Sequence, residues 1–309
     1  KMKKYLLLTF IFSFILNIKF VSAEIFIEAK INNEIISNID VKNEKNYLLA
    51  LNPNLRSLSN KDINRYAKDS LVNEKIKKIE IEEQFEIMQN KEMIDKIITD
   101  LYSGIGISNI NEFENHLRNF NINLDLVKRK ISIEIAWNDY IFTKYNKLVQ
   151  IDEKKIKNKI KELSKNNDVE NFLLSEIIFT VNEGENLESK FMEIKNSIEK
   201  IGFAESAKIY SVSESKKDGG KIGWIYKSQL SSKILNEIEK INIGELTNPI
   251  TTAGGFILLK INEKKNELIE IDEKEEFEKA VNFEKNRQLT MYSTLQYKRA
   301  YNKAFINEF

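Results

Sequence analysis

One histidine, His116, is the residue whose ring could bind a metal ion or transfer a proton near neutral pH. Glu112 and Glu114 stand close to it in the sequence and could suggest a metal site. A single histidine without organised partners is a poor ligand set, and the chain has no cysteine to complete one. We therefore expect His116 to be an exposed helix residue, and we predict no metal site, no cofactor and no Ser-His-Asp catalysis.

A second set of residues that could carry chemistry surrounds the pair Gly219-Gly220. The pair lacks the lysine and hydroxyl spacing of a phosphate-binding loop. Three further blocks accompany it in a fixed order: residues 203–211 upstream, and residues 244–250 and 255–261 downstream. Together the four blocks resemble a prolyl isomerase domain of the parvulin type, and the resemblance covers residues 172–263.

The parvulin family accelerates rotation about the peptide bond before proline, which has a barrier of about 18–20 kcal/mol. The resemblance implies an apolar pocket of Met and Phe beside two histidines and a cysteine or aspartate, which together favour the twisted amide. Other residue types occupy all six positions here: Glu176 and Ile257 for the histidines, Ser213 for the cysteine or aspartate, Leu230 for the methionine, and Ile234 and Gly254 for the phenylalanines.

These replacements argue against efficient catalysis. A carboxylate at Glu176 has the opposite charge to an imidazolium and would repel a substrate carbonyl oxygen. Gly254 removes a ring that would hold proline, whereas Leu230 and Ile234 stay aliphatic and preserve an apolar groove. We expect Glu176 to be a solvated residue at the mouth of a strand, and we assign none of the six positions a catalytic role.

Composition narrows the classes of partner. The chain has 309 residues, enough for two domains. Its 48 Lys and Arg residues balance 47 Asp and Glu residues, which argues against a nucleic-acid partner because such a partner requires a basic face.

The first 23 residues have the layout of a secretory signal peptide. Lysines precede an apolar stretch over residues 5–16, and small or aliphatic residues lead to Ala23. The uninterrupted stretch is too short to span a bilayer, although residues 18–21 extend it and leave an uncleaved anchor as an alternative. We expect cleavage after Ala23, no stable membrane insertion and a periplasmic location.

Hydrophobic periodicity predicts a strand pair over residues 24–37 and then a series of amphipathic helices. We predict a helical domain over residues 24–166, a parvulin-like domain over residues 167–264 and a C-terminal helix within residues 265–309. The C-terminal helix is too short to form a domain and should pack on the N-terminal helices. The predicted fold class is α+β, a mainly helical core with an inserted parvulin-like, FKBP-like domain.

This layout resembles the SurA-type periplasmic chaperones, with one parvulin-like unit where the best-known members have two. The resemblance rests on the opening strand pair, a long-helix motif over residues 71–76 and a closing helix and strand over residues 299–305. It implies a chaperone that binds unfolded envelope proteins, outer-membrane β-barrel precursors among them, in a groove between the helical core and the inserted domain. An active peptidyl-prolyl cis-trans isomerase is the alternative, and a docking module for the envelope machinery is a third.

Overall fold

The computed structural model describes residues 24–84, 90–165, 168–181, 185–252, 254–268 and 272–309. The described chain forms a mainly helical body and a smaller α+β unit inserted into it, which confirms the predicted fold class. The predicted signal peptide, residues 1–23, lies outside the described residues. Within the described residues, no helix has both the length and the apolar composition that a membrane crossing requires.

Two short strands open the body, and they pair as the sequence predicted across a turn at Asn32, where φ is 51°. The strands are β1 (Ile27–Ile31) and β2 (Glu34–Ser37). The helices that follow are α1 (Asn38–Leu51), α2 (Asn60–Glu82), α3 (Lys91–Gly104), α4 (Ile110–Asn119), α5 (Leu124–Tyr145) and α6 (Glu153–Lys165).

The first five helices begin in the same way. Each follows a Ser or Asn whose side-chain oxygen accepts a hydrogen bond from a backbone N–H of the first turn. Such a cap satisfies a donor that the helix itself leaves unpaired, and it contributes about 1 kcal/mol. The five capping residues are Ser37, Ser59, Asn90, Asn109 and Asn123.

A buried ion cluster joins α1, α2 and α5. Lys130 Nζ lies 2.7 Å from Glu44 Oε2 and also contacts Glu74, while Ser70 donates a hydrogen bond of 2.7 Å to Glu44. Glu44 is only 2% exposed. Burial alone would lower the pKa of Lys130, but the two glutamates outweigh burial and raise that pKa, so Lys130 stays charged.

The C-terminal segment closes the body. Helix α10 (Glu273–Lys303) lies along α5 and α6, where Trp137 Nε1 donates a hydrogen bond of 2.8 Å to Ser293 Oγ. Strand β7 (Ile306–Glu308) then pairs with β1, giving a three-stranded antiparallel sheet in the order β2-β1-β7. The two ends of the described chain therefore meet in one sheet, and the α+β unit projects from between them.

The α+β unit is built on a four-stranded antiparallel sheet in the order β4-β3-β6-β5. Its elements are β3 (Asp168–Phe179), α7 (Leu187–Ile201), α8 (Phe203–Tyr210), β4 (Lys221–Tyr226), α9 (Ser232–Ile238), β5 (Ile250–Thr252) and β6 (Gly255–Leu268). Strand β6 is long because β3 pairs with it as far as Leu268.

The α+β unit is packed directly against the helical body. Apolar side chains of α7 and α8 meet residues that precede and begin α2 in one cluster, and the Tyr66 and Tyr210 hydroxyls form a hydrogen bond. Arg65 Nη2 lies 3.0 Å from Glu193 Oε1 across the same contact. The open groove that we expected between the two parts is therefore filled at this place. The cluster comprises Leu55, Leu58, Ile63, Tyr66 and Ile201, with Ile209 and Tyr210 at its edge.

Candidate functional site

Four of the six parvulin-like positions lie on one face of the four-stranded sheet. Side chains alternate along a strand, so Glu176 shares its face of β3 with Leu174 and Ile178, and it stands opposite Leu259 of β6. This face carries an apolar cluster. Its buried members are Phe172, Leu174, Ile238, Ile250, Ile257, Leu259 and Ile261, and Leu230 and Ile234 pack on it half-buried.

Glu176 is the polar centre of this face, and it is buried, with 9% of its surface exposed. The expectation of a solvated residue was therefore wrong. Ser213 Oγ donates a hydrogen bond of 2.6 Å to Glu176 Oε1, and Ser215 Oγ donates one of 2.8 Å to the same oxygen. The reason is topological, since the chain after α8 folds back over β3 and covers the carboxyl group.

Burial raises the pKa of the Glu176 carboxyl, although the hydrogen bonds from Ser213 and Ser215 oppose the shift. Among the residues that the structure describes, no lysine or arginine contributes to this balance. A carboxyl group in such a place binds a proton more readily than a solvated one does. The repulsion of a substrate carbonyl oxygen that we predicted from the sequence is therefore weakened.

A hydroxyl-rich segment holds the serines in place. Val212 N–H donates a hydrogen bond of 2.7 Å to the carbonyl oxygen of Ile178, and Ser211 Oγ accepts one of 3.1 Å from Ile178 N–H. Ser213 then caps a 3-10 turn over Glu214–Asp218. Sequence reasoning missed Ser215, because nothing in the spacing Ser-Val-Ser-Glu-Ser shows that the turn folds back onto β3.

The Gly219-Gly220 pair closes this turn onto the strand. Glu176 N–H donates a hydrogen bond of 2.7 Å to the Gly220 carbonyl oxygen, and Gly220 has φ of 80°. A Cβ at Gly220 would lie 2.3 Å from the carbonyl oxygen of Glu176. The glycine at this position is therefore required by the close approach of the turn to the strand that carries Glu176.

Gly254 does not join the apolar cluster. A Cβ at this position would point at α10, 3.4 Å from Cα of Met291. The C-terminal helix thus occupies the space into which a larger side chain at Gly254 would project. Ala253, which precedes it, lies outside the described residues.

His116 lies on α4, away from this site. Its Nε2 is 2.7 Å from the carbonyl oxygen of Ala50, and its ring centroid is 5.2 Å from that of Phe120. The residue is half-buried, so the prediction of an exposed histidine was wrong. Across the described ranges, no group of three or more His, Cys, Asp or Glu side chains is arranged to hold a metal ion.

Comparisons with known proteins show what the chain is similar to. Residues 172–263 match the family model of the PPIC-type PPIASE domain, or rotamase. Chaperone SurA of Pseudomonas putida is 24% identical over 199 residues, which cover 60% of this chain and 45% of that protein. Chaperone SurA of Pseudomonas fluorescens is 30% identical over 125 residues, or 38% of this chain and 29% of that protein. The chain thus spans less than half the length of these two relatives.

Solved structures that resemble the chain include two that cover different shares of it. One is a PpiC-type peptidyl-prolyl cis-trans isomerase domain, 24% identical, covering 33% of this chain and 97% of that chain with a TM-score of 0.29. The other belongs to a pair of SurA-like chaperones of Campylobacter jejuni, 16% identical, covering 92% of this chain and all of that chain with a TM-score of 0.29. On the sequence matches, the chain carries a PpiC-type parvulin domain at residues 172–263 and is similar to the SurA chaperones.

Proposed function

We propose that this protein is a periplasmic chaperone that holds unfolded polypeptides, with outer-membrane β-barrel precursors as its clients. Its parvulin domain binds polypeptide without efficient isomerisation. The observation that carries the proposal is the site itself: an apolar cluster with Leu230 and Ile234 at its surface, and no histidine beside it. Such a site retains the means to hold an apolar segment but not the residues with which the parvulin family accelerates rotation.

The three-stranded sheet of the body also exposes apolar side chains. Ile35 of β2 is 49% exposed, and Phe305, which precedes β7, is 69% exposed. Strand β1 lies between them, with the exposed Lys30 opposite Ile35. Exposed aromatic and aliphatic side chains are found on surfaces that bind other polypeptides. Barrel precursors alternate apolar and polar residues, so an extended segment can present its apolar side chains to such a surface.

The signal-peptide layout of residues 1–23 supports the compartment, and binding of this kind needs neither cofactor nor ATP. We keep residues 24–166, 167–264 and 265–309 as the proposed units of the mature chain. The short match to the SurA relatives supports the chaperone role and leaves the choice of client to experiment.

The chaperone role predicts suppression of aggregation. The full chain, at a stoichiometric amount, should keep an unfolded β-barrel protein from aggregating, as measured by light scattering after dilution from urea. The double variant Ile35→Ser, Phe305→Ser should suppress aggregation less, because it removes apolar contact area from an exposed surface without disturbing the core.

Phe283→Ser is the matched control, since Phe283 is 46% exposed on α10 and lies about 30 Å along the helix from Phe305. It should behave like the unchanged chain. Failure of the unchanged chain to suppress aggregation at equal molar amounts would contradict the proposal.

A working prolyl isomerase is the second candidate, and one observation favours it. Two of the positions predicted for the family's polar residues, Glu176 and Ser213, form a buried hydrogen-bonded cluster with Ser215. In a protease-coupled assay, we expect a proline peptide mixed with the full chain to isomerise no faster than the peptide alone. A rate well above background that Glu176→Ala or Leu230→Ala abolishes would reverse the order of the two candidates.

A further inference from the structure

We propose that Glu176 is the hydrogen-bond donor through which the parvulin domain recognises the backbone of a bound polypeptide. In its neutral form it donates from Oε2 to a peptide carbonyl oxygen, while an apolar side chain of the polypeptide rests on Leu230 and Ile234. Polypeptide binding by this domain therefore strengthens as the pH falls. The inference rests on the proposed polypeptide-binding function and names the polar contact of that same site.

The two oxygens of Glu176 have different surroundings. Oε1 accepts both serine hydroxyls, at 2.6 Å from Ser213 and 2.8 Å from Ser215. No described residue donates a hydrogen bond to Oε2. Among the described side chains, Oε2 is also not one of the fully buried oxygens without a hydrogen-bond partner. Ser213 donates to Oε1, and Ser215 Oγ lies within donating distance of both Oε1 and Ser213 Oγ. Because the serine hydroxyls gather at Oε1, the carboxyl proton is better placed on Oε2, the oxygen to which they do not donate.

The location of Glu176 places this oxygen beside the apolar cluster, where a bound polypeptide could contact both. Glu176 projects from the sheet face that carries the apolar cluster, next to Leu259. A buried polar group gains most from a hydrogen bond when its partner arrives together with apolar surface that excludes water. A polypeptide offers both, a carbonyl oxygen in every residue and apolar side chains beside it.

The charged side chains on the elements around Glu176 do not set the protonation of its carboxyl group. Lys217 pairs with Glu214 at 2.6 Å, and Lys260 Nζ lies over the ring of Phe203. None of the neighbouring charges contributes to the raised pKa of Glu176. Burial raises this pKa, and the hydrogen bonds from the two serine hydroxyls oppose the shift. The neighbouring charged residues are Glu214, Lys216, Lys217 and Asp218 of the 3-10 turn, Lys221 of β4 and Lys260 of β6.

The protonation state of Glu176 decides whether it attracts or repels a peptide carbonyl oxygen. An ionised carboxylate cannot donate a hydrogen bond and repels a carbonyl oxygen, whereas the neutral acid attracts it. Affinity for a polypeptide should therefore rise as the pH falls through the pKa of Glu176, and peptide binding above that pKa should take up a proton.

The test uses the full chain and a dye-labelled, unstructured peptide of alternating aromatic and polar residues, with fluorescence anisotropy from pH 8 to pH 5. The unchanged chain should bind roughly tenfold more tightly at the acidic end, as a gained hydrogen bond and a lost repulsion imply. Glu176→Gln keeps a neutral donor at every pH, so its affinity should be high and independent of pH. Calorimetry in two buffers of different ionisation enthalpy should show proton uptake by the unchanged chain and none by Glu176→Gln.

Glu214→Gln is the matched control, because it removes the same charge from the neighbouring turn and should retain the pH response. Peptide binding with no pH response and no proton uptake in the unchanged chain would overturn the role of Glu176 and leave the chaperone proposal standing. Absence of peptide binding at every pH would overturn both, and the result from the unchanged chain decides even if a variant fails to fold.

Discussion

Replacing Gly220 by alanine is expected to destabilise the parvulin domain by about 3 kcal/mol or more, since the added Cβ combines backbone strain with a steric clash. The Cβ would lie 2.3 Å from the carbonyl oxygen of Glu176, a distance that real Cβ atoms do not show. Gly220 also has φ of 80°, which side-chain-bearing residues rarely adopt. Relief of the clash requires the turn to leave β3, with loss of the 2.7 Å hydrogen bond from Glu176 N–H to Gly220.

Gly244→Ala separates the two contributions to this effect. Gly244 lies in the same domain with φ of 90°, but a Cβ there would have nothing within 4 Å. It should therefore show the backbone cost alone, about 1–2 kcal/mol. Urea unfolding of the two variants beside the unchanged chain measures the difference, and equal losses for Gly220→Ala and Gly244→Ala would contradict the close approach of the turn to β3.

Replacing Glu44 by alanine should destabilise the helical body by about 3 kcal/mol, because it leaves the Lys130 ammonium buried with one fewer carboxylate. Lys130 Nζ lies 2.7 Å from Glu44 Oε2, and Glu44 is 2% exposed where α1, α2 and α5 meet. Since folded domains are stable by only about 5–15 kcal/mol, the loss should appear as a clear shift of the urea midpoint.

Glu34→Ala provides the comparison for a more exposed pair. The Glu34 carboxylate contacts Lys75 and lies 3.4 Å from Lys78, but its side chain is 33% exposed. Pairs of this kind contribute about 1 kcal/mol or less. A Glu44→Ala variant no less stable than Glu34→Ala would show that the buried cluster does not join the three helices as described.

Much of the fold follows from local signals in the sequence. The strand pair around Asn32, the helices capped by Ser and Asn, and the amphipathic helix over Leu187–Ile201 each depend on residues close together in the chain. The Gly219-Gly220 pair pointed to the parvulin domain through its residue types alone, although the need for glycine there comes from contacts with Ala204 and Glu176, which lie earlier in the chain. The family match over residues 172–263 confirms that identification.

The chemistry of the site depended on contacts that the sequence does not show. The solvation of Glu176 could not be predicted, because its burial comes from a turn 37 residues further along, where Ser213 donates to it. The surroundings of Gly254 depend in turn on Met291 of α10, a helix that returns from the far side of the insertion. In both cases the neighbour that determines the environment lies far away in the chain. Residue type alone suggested a solvated Glu176, and it gave no neighbour for Gly254.

The polar residues at this site are not scattered remnants of an isomerase site. Of the positions predicted from the resemblance for the family's polar residues, Glu176 and Ser213 form one hydrogen-bonded group together with Ser215. The apolar cluster beside this group persists, with Leu230 and Ile234 packed on it. A site of this composition is suited to holding a polypeptide backbone and one apolar side chain.

Exchange NMR spectroscopy on a labelled proline peptide mixed with the full chain measures both binding and isomerisation in one sample, and so separates a domain that only holds polypeptide from one that isomerises it. We predict shifted and broadened peptide resonances without cis–trans exchange cross-peaks, since uncatalysed isomerisation takes tens to hundreds of seconds. Cross-peaks that grow in within a fraction of a second at substoichiometric protein would contradict this prediction and establish the domain as a working isomerase.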